Sequence, residues 1–195
     1  MGKLVLILGG ARSGKSIYAE RYAKEIGEDR VLYMATAEAI DLEMQARAEK
    51  HQARRPANWR TLEAPLHLAE QVRANLGDAN VVLVDCITVL TANIFVEATG
   101  PYEDAFDEPK NPYNPAIEQA VEEEVEALTA CAAELPITML VVSNEVGMGV
   151  VPPYELGRAY RDVLGRANQI LAAHADEVYL LVAGIPMAVK GRQAL

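Results

Sequence analysis

Gly9-Gly10-Ala11-Arg12-Ser13-Gly14-Lys15-Ser16 follows the spacing G-x-x-x-x-G-K-[ST]. Each residue type in that pattern has a chemical reason. Glycines let the backbone curl so that successive N–H groups point inward at anionic oxygens. A helix starting at the end of the loop adds the positive end of its dipole. Lys15 then reaches the β- and γ-phosphates of a nucleotide, and the Ser16 hydroxyl is placed to ligate Mg²⁺. The pattern has this meaning only when a strand precedes it and a helix follows. Leu4–Leu8 is a continuous apolar run, and Lys15–Ile26 reads as a helix, so that context is present.

Two further places carry chemistry. Asp85 closes the apolar run Val81–Val84. An acid at the carboxyl end of a strand can hold Mg²⁺ directly or through water; the other reading of Asp85 is a cap for the helix that follows. Arg47, His51 and Arg55 are spaced four apart, with Lys50 and Arg54 beside them, so they share one face of a helix read from Asp41 to about Arg54. Clustered cations suit an anionic ligand. They also disfavour protonation of the imidazole, and a neutral imidazole can attack phosphorus. The alternative is a solvated basic helix with an incidental histidine. His67, on a predicted helix, and His174, at a helix end, read as structural or surface residues.

The elements that would position these residues alternate along the chain. Strands are expected at Leu4–Leu8, Arg30–Ala35, Trp59–Glu63, Val81–Asp85, Ile137–Ser143 and Glu177–Ala183, and Gly184 and Pro186 signal a tight turn into a short last strand at Met187–Lys190. Helices are expected from Lys15 to a stop at Gly27, from Pro65 to Gly77, and over Ile87–Ala98, Ala116–Leu135 and Tyr154–Ala173. The proline- and acid-rich stretch Thr99–Pro115 reads as a surface loop. Buried strands joined by crossover helices give one three-layer α/β domain, like those of P-loop NTPases, over residues 1–195. Its sheet is mostly parallel, with a short antiparallel strand at the C-terminus.

Composition fits this. The chain of 195 residues is 51% hydrophobic, enough for a real core, and its net charge of -10 argues against general binding to nucleic acid or anionic membranes. No segment is long enough to span a bilayer, and Lys3–Leu8 is too short for a signal peptide's apolar region. The two cysteines, Cys86 and Cys131, lie in apolar stretches with no metal-binding spacing, as reduced thiols of a cytoplasmic protein would.

Several further segments sharpen the reading. They are Tyr33-Met34-Ala35-Thr36, His51 followed by Arg55-Pro56 and Trp59-Arg60-Thr61, Asp85-Cys86-Ile87-Thr88, Asn144-Glu145-Val146-Gly147-Met148-Gly149-Val150-Val151-Pro152, and Gly165-Arg166-Ala167-Asn168-Gln169. Together with the glycine loop, and in this order, they resemble the bifunctional adenosylcobinamide kinase / adenosylcobinamide-phosphate guanylyltransferase family of cobalamin biosynthesis. The resemblance implies two reactions: phosphorylation of adenosylcobinamide by ATP or GTP, then transfer of GMP from GTP to adenosylcobinamide phosphate through a histidine. Carried onto this chain, it implies guanylylation at His51, with Gln52, Ala53, Arg54, Arg55, Ala35, Thr36, Ala37 and Glu63 helping to hold the nucleotide. Gly9 to Ser16 keep their phosphate role, with Lys15 catalytic, and Asp85 and Ser16 fall to Mg²⁺. It also implies a homo-oligomer, with trimers as the family's habit. Arg54 departs from the acid or glycine usual before the Arg-Pro pair. The glycine loop alone leaves open another P-loop small-molecule kinase, or a nucleotide-dependent switch protein.

Overall fold

The computed structural model describes residues 2–37, 55–100 and 112–191. Among these, seven strands form one sheet, β1 (Lys3–Gly9), β2 (Val31–Ala35), β3 (Arg60–Glu63), β4 (Val81–Asp85), β5 (Thr138–Asn144), β6 (Glu177–Val182) and β7 (Ile185–Lys190), in the order β3-β2-β4-β5-β1-β6-β7. Every neighbouring pair is parallel except β6 and β7. The helices are α1 (Lys15–Gly27), α2 (Leu68–Asn75), α3 (Ile87–Thr99), α4 (Pro115–Glu134) and α5 (Glu155–His174).

Alternation along the central strands builds the three layers. Val5, Ile7, Val31, Tyr33, Val81, Leu83, Leu140 and Val142 turn one way and bury Ala19 and Ala23 of α1. Leu4, Leu6, Leu32, Met34, Val82, Val84, Met139 and Val141 turn the other way, into a larger core with α2 to α5. Both faces are covered, which is why these strands read as unbroken apolar runs. The small alanines of α1 let that helix lie close to the sheet.

Four sequence expectations change in detail. Gly27 is the last residue of α1 rather than the residue after it, and the positive φ falls on Glu28, at φ 51. Gly27 is instead where helix and sheet touch: a Cβ there would lie 2.7 Å from a methyl of Val81 and 2.8 Å from one of Val31. Helix α2 begins at Leu68, not Pro65, because His67 at φ 56 breaks the backbone just before it. His67 is thus a capping residue, with its imidazole 3.1 Å from Glu124. Pro186 lies inside β7, and the hairpin turn is made by Ala183 and Gly184, both with positive φ. Pro115 is the first residue of α4, capped by the Asn114 side chain, and Thr99 ends α3, so both leave the surface loop. The helix expected over Asp41–Arg54 lies outside the described residues.

At the amino ends of the strands, opposite the glycine loop, Glu177 is buried and fully partnered. It accepts from Lys3 at 2.7 Å and from the hydroxyls of Tyr22 and Tyr179 at 2.9 Å each. Burial works against its charge, but those three donors outweigh burial and hold its pKa below the usual carboxylate range. A depressed carboxyl stabilises the fold fully above its unfolded pKa, and that contribution is lost as pH falls through the folded value. Glu177→Gln should lower stability by about 1–3 kcal/mol at neutral pH, because it leaves a charged or hydroxyl donor poorly matched. Urea denaturation across the acid range should show wild type and variant converging as pH drops below about 4.

Candidate active site

Strand β1 runs straight into the glycine loop, and the loop is wedged between its neighbours. Glu145 N–H donates to the Gly9 carbonyl at 3.0 Å, and Gly184 N–H donates to the Ser13 carbonyl at 2.8 Å. Gly9 leaves no room for a side chain: a Cβ would lie 2.7 Å from the Leu181 carbonyl oxygen and 2.6 Å from Ser13 Oγ. Gly14 caps α1 at φ 94, a conformation that glycine adopts freely. Arg12 takes φ 58 at the exposed tip beside Ala11. The outcome is a closed loop over the first turn of a 13-residue helix.

Lys15 is folded back into this loop. It is only 7% exposed, and its Nζ donates to the Gly10 carbonyl at 2.7 Å. Burial pulls its pKa below the usual lysine value, opposed by Cys86 and Asp85. The Cys86 thiol is itself pushed up to about 11, first by burial and then by Asp85. It is therefore neutral at physiological pH, and the Asp85 carboxylate is the partner that favours the ammonium. Ser13 is buried, and its hydroxyl has no hydrogen-bond partner among the described residues; the same holds for Ser143, near the end of β5. A closed loop with a pinned ammonium and an orphaned hydroxyl suits an anion with several oxygens.

Asp85 does not cap α3; Cys86 occupies that position and makes no side-chain cap bond. The Asp85 carboxylate accepts from the Tyr33 hydroxyl at 2.8 Å. Tyr33 is 2% exposed, and burial followed by the charge of Asp85 pushes its pKa far up, so it stays a neutral donor. Arg55 lies over the Tyr33 ring, its guanidinium carbon 3.3 Å from the centroid, and donates to Thr61 Oγ1 at 3.3 Å. Tyr33 stood in a quoted motif, but only the fold shows that its hydroxyl crosses to the next strand.

Thr36 is fully buried. Its hydroxyl donates to the Cys86 carbonyl and accepts from Cys86 N–H, both at 2.8 Å, while Asn93 Nδ2 donates to its carbonyl at 2.9 Å. Its side chain thus locks the end of β2 to the start of α3. Ala35 is half-buried and Ala37 exposed beside it. Asn93 carried no motif signal, and sequence reasoning did not find it. Glu63 ends the edge strand β3, four strands from β1, which is about 19 Å along the sheet. The described candidates therefore form two groups on one sheet edge: the glycine loop, and Arg55, Ala35 to Ala37 and Glu63, with Asp85 between. His51, Gln52, Ala53 and Arg54 lie outside the described residues.

A phosphate loop after the first strand and an acid ending a strand two places away define a P-loop phosphotransferase-like protein. The fold agrees: the chain resembles a solved ATPase domain with a TM-score of 0.52 at 14% identity, covering 99% of this chain and 78% of that one. The sequence profile of the cobinamide kinase / cobinamide phosphate guanyltransferase family matches residues 5–189. The chain is 43% identical over 189 residues to the bifunctional adenosylcobalamin biosynthesis protein CobU of Escherichia coli (strain K12), covering 96% of this chain and 99% of that protein. It is 46% identical over 186 residues to the bifunctional adenosylcobalamin biosynthesis protein CobP of Pseudomonas aeruginosa, covering 95% and 96%. The chain belongs to the cobinamide kinase / cobinamide phosphate guanyltransferase family.

The buried ammonium sets up a trade between stability and activity. Lys15→Met removes a charge that burial disfavours and leaves an apolar stem of similar length. Its thermal midpoint should equal or exceed that of the wild type, while phosphoryl transfer to cobinamide falls on the order of 10²-fold or more. Differential scanning fluorimetry and a coupled kinase assay check the two halves.

Proposed function

We propose that the two activities of the family are carried in this chain by the residues of one sheet edge, with His51 as the guanylylated nucleophile. The observation that carries the reading is the glycine loop, with Lys15 pinned to Gly10 and the Ser13 hydroxyl left for a ligand. In the kinase step the aminopropanol hydroxyl of adenosylcobinamide attacks the γ-phosphorus of ATP or GTP. A P–O bond forms, the hydroxyl proton passes to solvent, the bond to the β-phosphate oxygen breaks, and the nucleoside diphosphate leaves. The loop N–H groups of residues 9–16 and Lys15 hold the charge that moves onto the β- and γ-oxygens.

In the transferase step the neutral His51 imidazole attacks the α-phosphorus of GTP. A P–N bond forms and pyrophosphate leaves. An oxygen of adenosylcobinamide phosphate then attacks the same phosphorus, and the P–N bond breaks to free the imidazole. Covalent catalysis of this kind divides one displacement into two. Gln52, Ala53, Arg54, Arg55, Ala35, Ala37 and Glu63 hold the GMP moiety. Arg55, four residues after His51 in sequence, is stacked on Tyr33, and Thr36 braces the end of β2.

Mg²⁺ fits the residues present. Ser16 is the second residue of α1 and the charge of Asp85 acts on Lys15, but among the described residues no group of three or more His, Cys, Asp or Glu side chains is placed to hold a metal ion. Such a pair suits an ion completed by phosphate oxygens and water, which would supply charge neutralisation on the phosphates. Tyr33, by donating to Asp85, keeps that carboxylate oriented. Among the described residues no helix is long and apolar enough to cross a membrane. The chain acts on dissolved nucleotides in the cytoplasm. It assembles as a homo-oligomer, of trimeric form in keeping with the family's habit, through exposed apolar residues of the edge strand β7 such as Ile185, Met187 and Val189.

Incubation with GTP labelled at the α-phosphate, followed by denaturation, should leave acid-labile, base-stable label on the wild type and none on His51→Ala. Equal labelling of both proteins rules out His51, and none on either, with nucleotide binding intact, leaves a plain P-loop kinase. Tyr33→Phe should raise the Mg²⁺ concentration needed for half-maximal kinase activity several-fold, with a smaller effect on activity at saturating Mg²⁺. An unchanged requirement for Mg²⁺ would separate Tyr33 from the metal.

A further inference from the structure

The segment leaving β5 is held in place at both ends yet offers its apolar side chains to solvent. Asn144 pairs with Gly9 across adjacent strands, so the segment starts beside the phosphate loop. Glu145 is fixed there through its N–H to the Gly9 carbonyl, and its carboxylate accepts from Gly147 N–H at 2.7 Å. Val146 packs on the core, and Gly149 N–H returns to its carbonyl. At the far end Arg158 donates to the carbonyls of Pro152, at 3.2 Å, and Pro153, at 2.7 Å. Gly157 lies so close that a Cβ would meet Pro152 at 2.7 Å. Between these anchors Met148 is 78% exposed, Val150 92%, Val151 59% and Tyr154 61%.

Four large apolar side chains held outward on one short segment, beside a phosphate site, are not explained by the core. Such a patch marks a binding surface. We propose that Met148, Val150, Val151 and Tyr154 form the platform that receives the macrocycle of cobinamide. The inference rests on the assignment of cobinamide as phosphoryl acceptor and adds where it docks. The acceptor hydroxyl must arrive at the γ-phosphate over Gly9–Ser16, and the rest of this large substrate must then extend over what borders the loop. The segment after β5 is that border, one strand spacing away, or about 4.8 Å. A corrin ring presents broad apolar faces with a polar amide rim, which matches exposed apolar side chains on a segment that also carries the Glu145 carboxylate. A nucleotide, being polar and anionic, does not.

The test compares the wild type with the triple variant Met148→Ser, Val150→Ser, Val151→Ser. All three side chains are exposed, so the fold should survive, and GTP affinity reports that directly. Adenosylcobinamide binding is followed by equilibrium dialysis and visible absorbance, and its KM by the kinase assay. In the variant both constants for adenosylcobinamide should rise at least tenfold, while the Kd for GTP, labelling by α-labelled GTP and the sedimentation coefficient stay at wild-type values. Unchanged cobinamide constants overturn the platform. A variant that sediments as a smaller species, with its cobinamide constants changed only alongside, overturns it in favour of a contact between copies of the chain. Failure of the wild type itself to bind or phosphorylate adenosylcobinamide strikes the functional assignment instead and is read separately.

Discussion

The site depends on how tightly β1 turns into its loop. Gly9 sits where any side chain would overlap the carbonyl of Leu181 on β6 and the hydroxyl of Ser13. Because that space is closed, the loop is pressed between its neighbours and takes hydrogen bonds from both sides, from Glu145 after β5 and from Gly184 in the β6–β7 turn. The left-handed Gly14 then launches α1, and Lys15 is brought back over the loop. A loop braced from both sides keeps its backbone in place as phosphate charge develops, which favours electrostatic stabilisation of a transition state.

From that point the sheet distributes the chemistry sideways. Asp85 ends a strand two places from β1, and the Tyr33 hydroxyl reaches it from the next strand. Arg55 lies on the same Tyr33 ring. One buried phenol therefore links the carboxylate whose charge acts on Lys15 to Arg55. The glycine loop and the group of Arg55, Ala35 to Ala37 and Glu63 are separate in space, and this bond and ring contact at Tyr33 lie between them.

Much of this could be read from residue order because the strongest signals are local. Unbroken apolar runs marked the buried strands, and G-x-x-x-x-G-K-S marked the loop, since both depend on neighbours in sequence. What could not be read was set by partners far along the chain. Gly27 looks like a helix stop, but its reason is contact with Val81 and Val31. His67 looked helical because its neighbours are; its left-handed backbone, and Glu124 accepting from its N–H, place it outside the helix. The Tyr33–Asp85 bond, the locking of Thr36 to Cys86 and the role of Asn93 are cross-strand or strand-to-helix relations with no periodic signature. The histidine segment was singled out from charge spacing and family motifs together; it lies outside the described residues.

The strand order also bears on how the chain is made. β1 comes first in sequence among the seven described strands, yet its two partners are β5 and β6, which begin at Thr138 and Glu177. This apolar segment can pack on α1 early, but it has no strand partner until β5 has been made, and the last support of the phosphate loop, Gly184, comes later still. Contacts of such long sequence separation form slowly. The nascent chain must therefore keep Leu4 to Leu8 without a strand partner, and shielded from other chains, until β5 has been made, and its phosphate loop is fully supported only once Gly184 has followed.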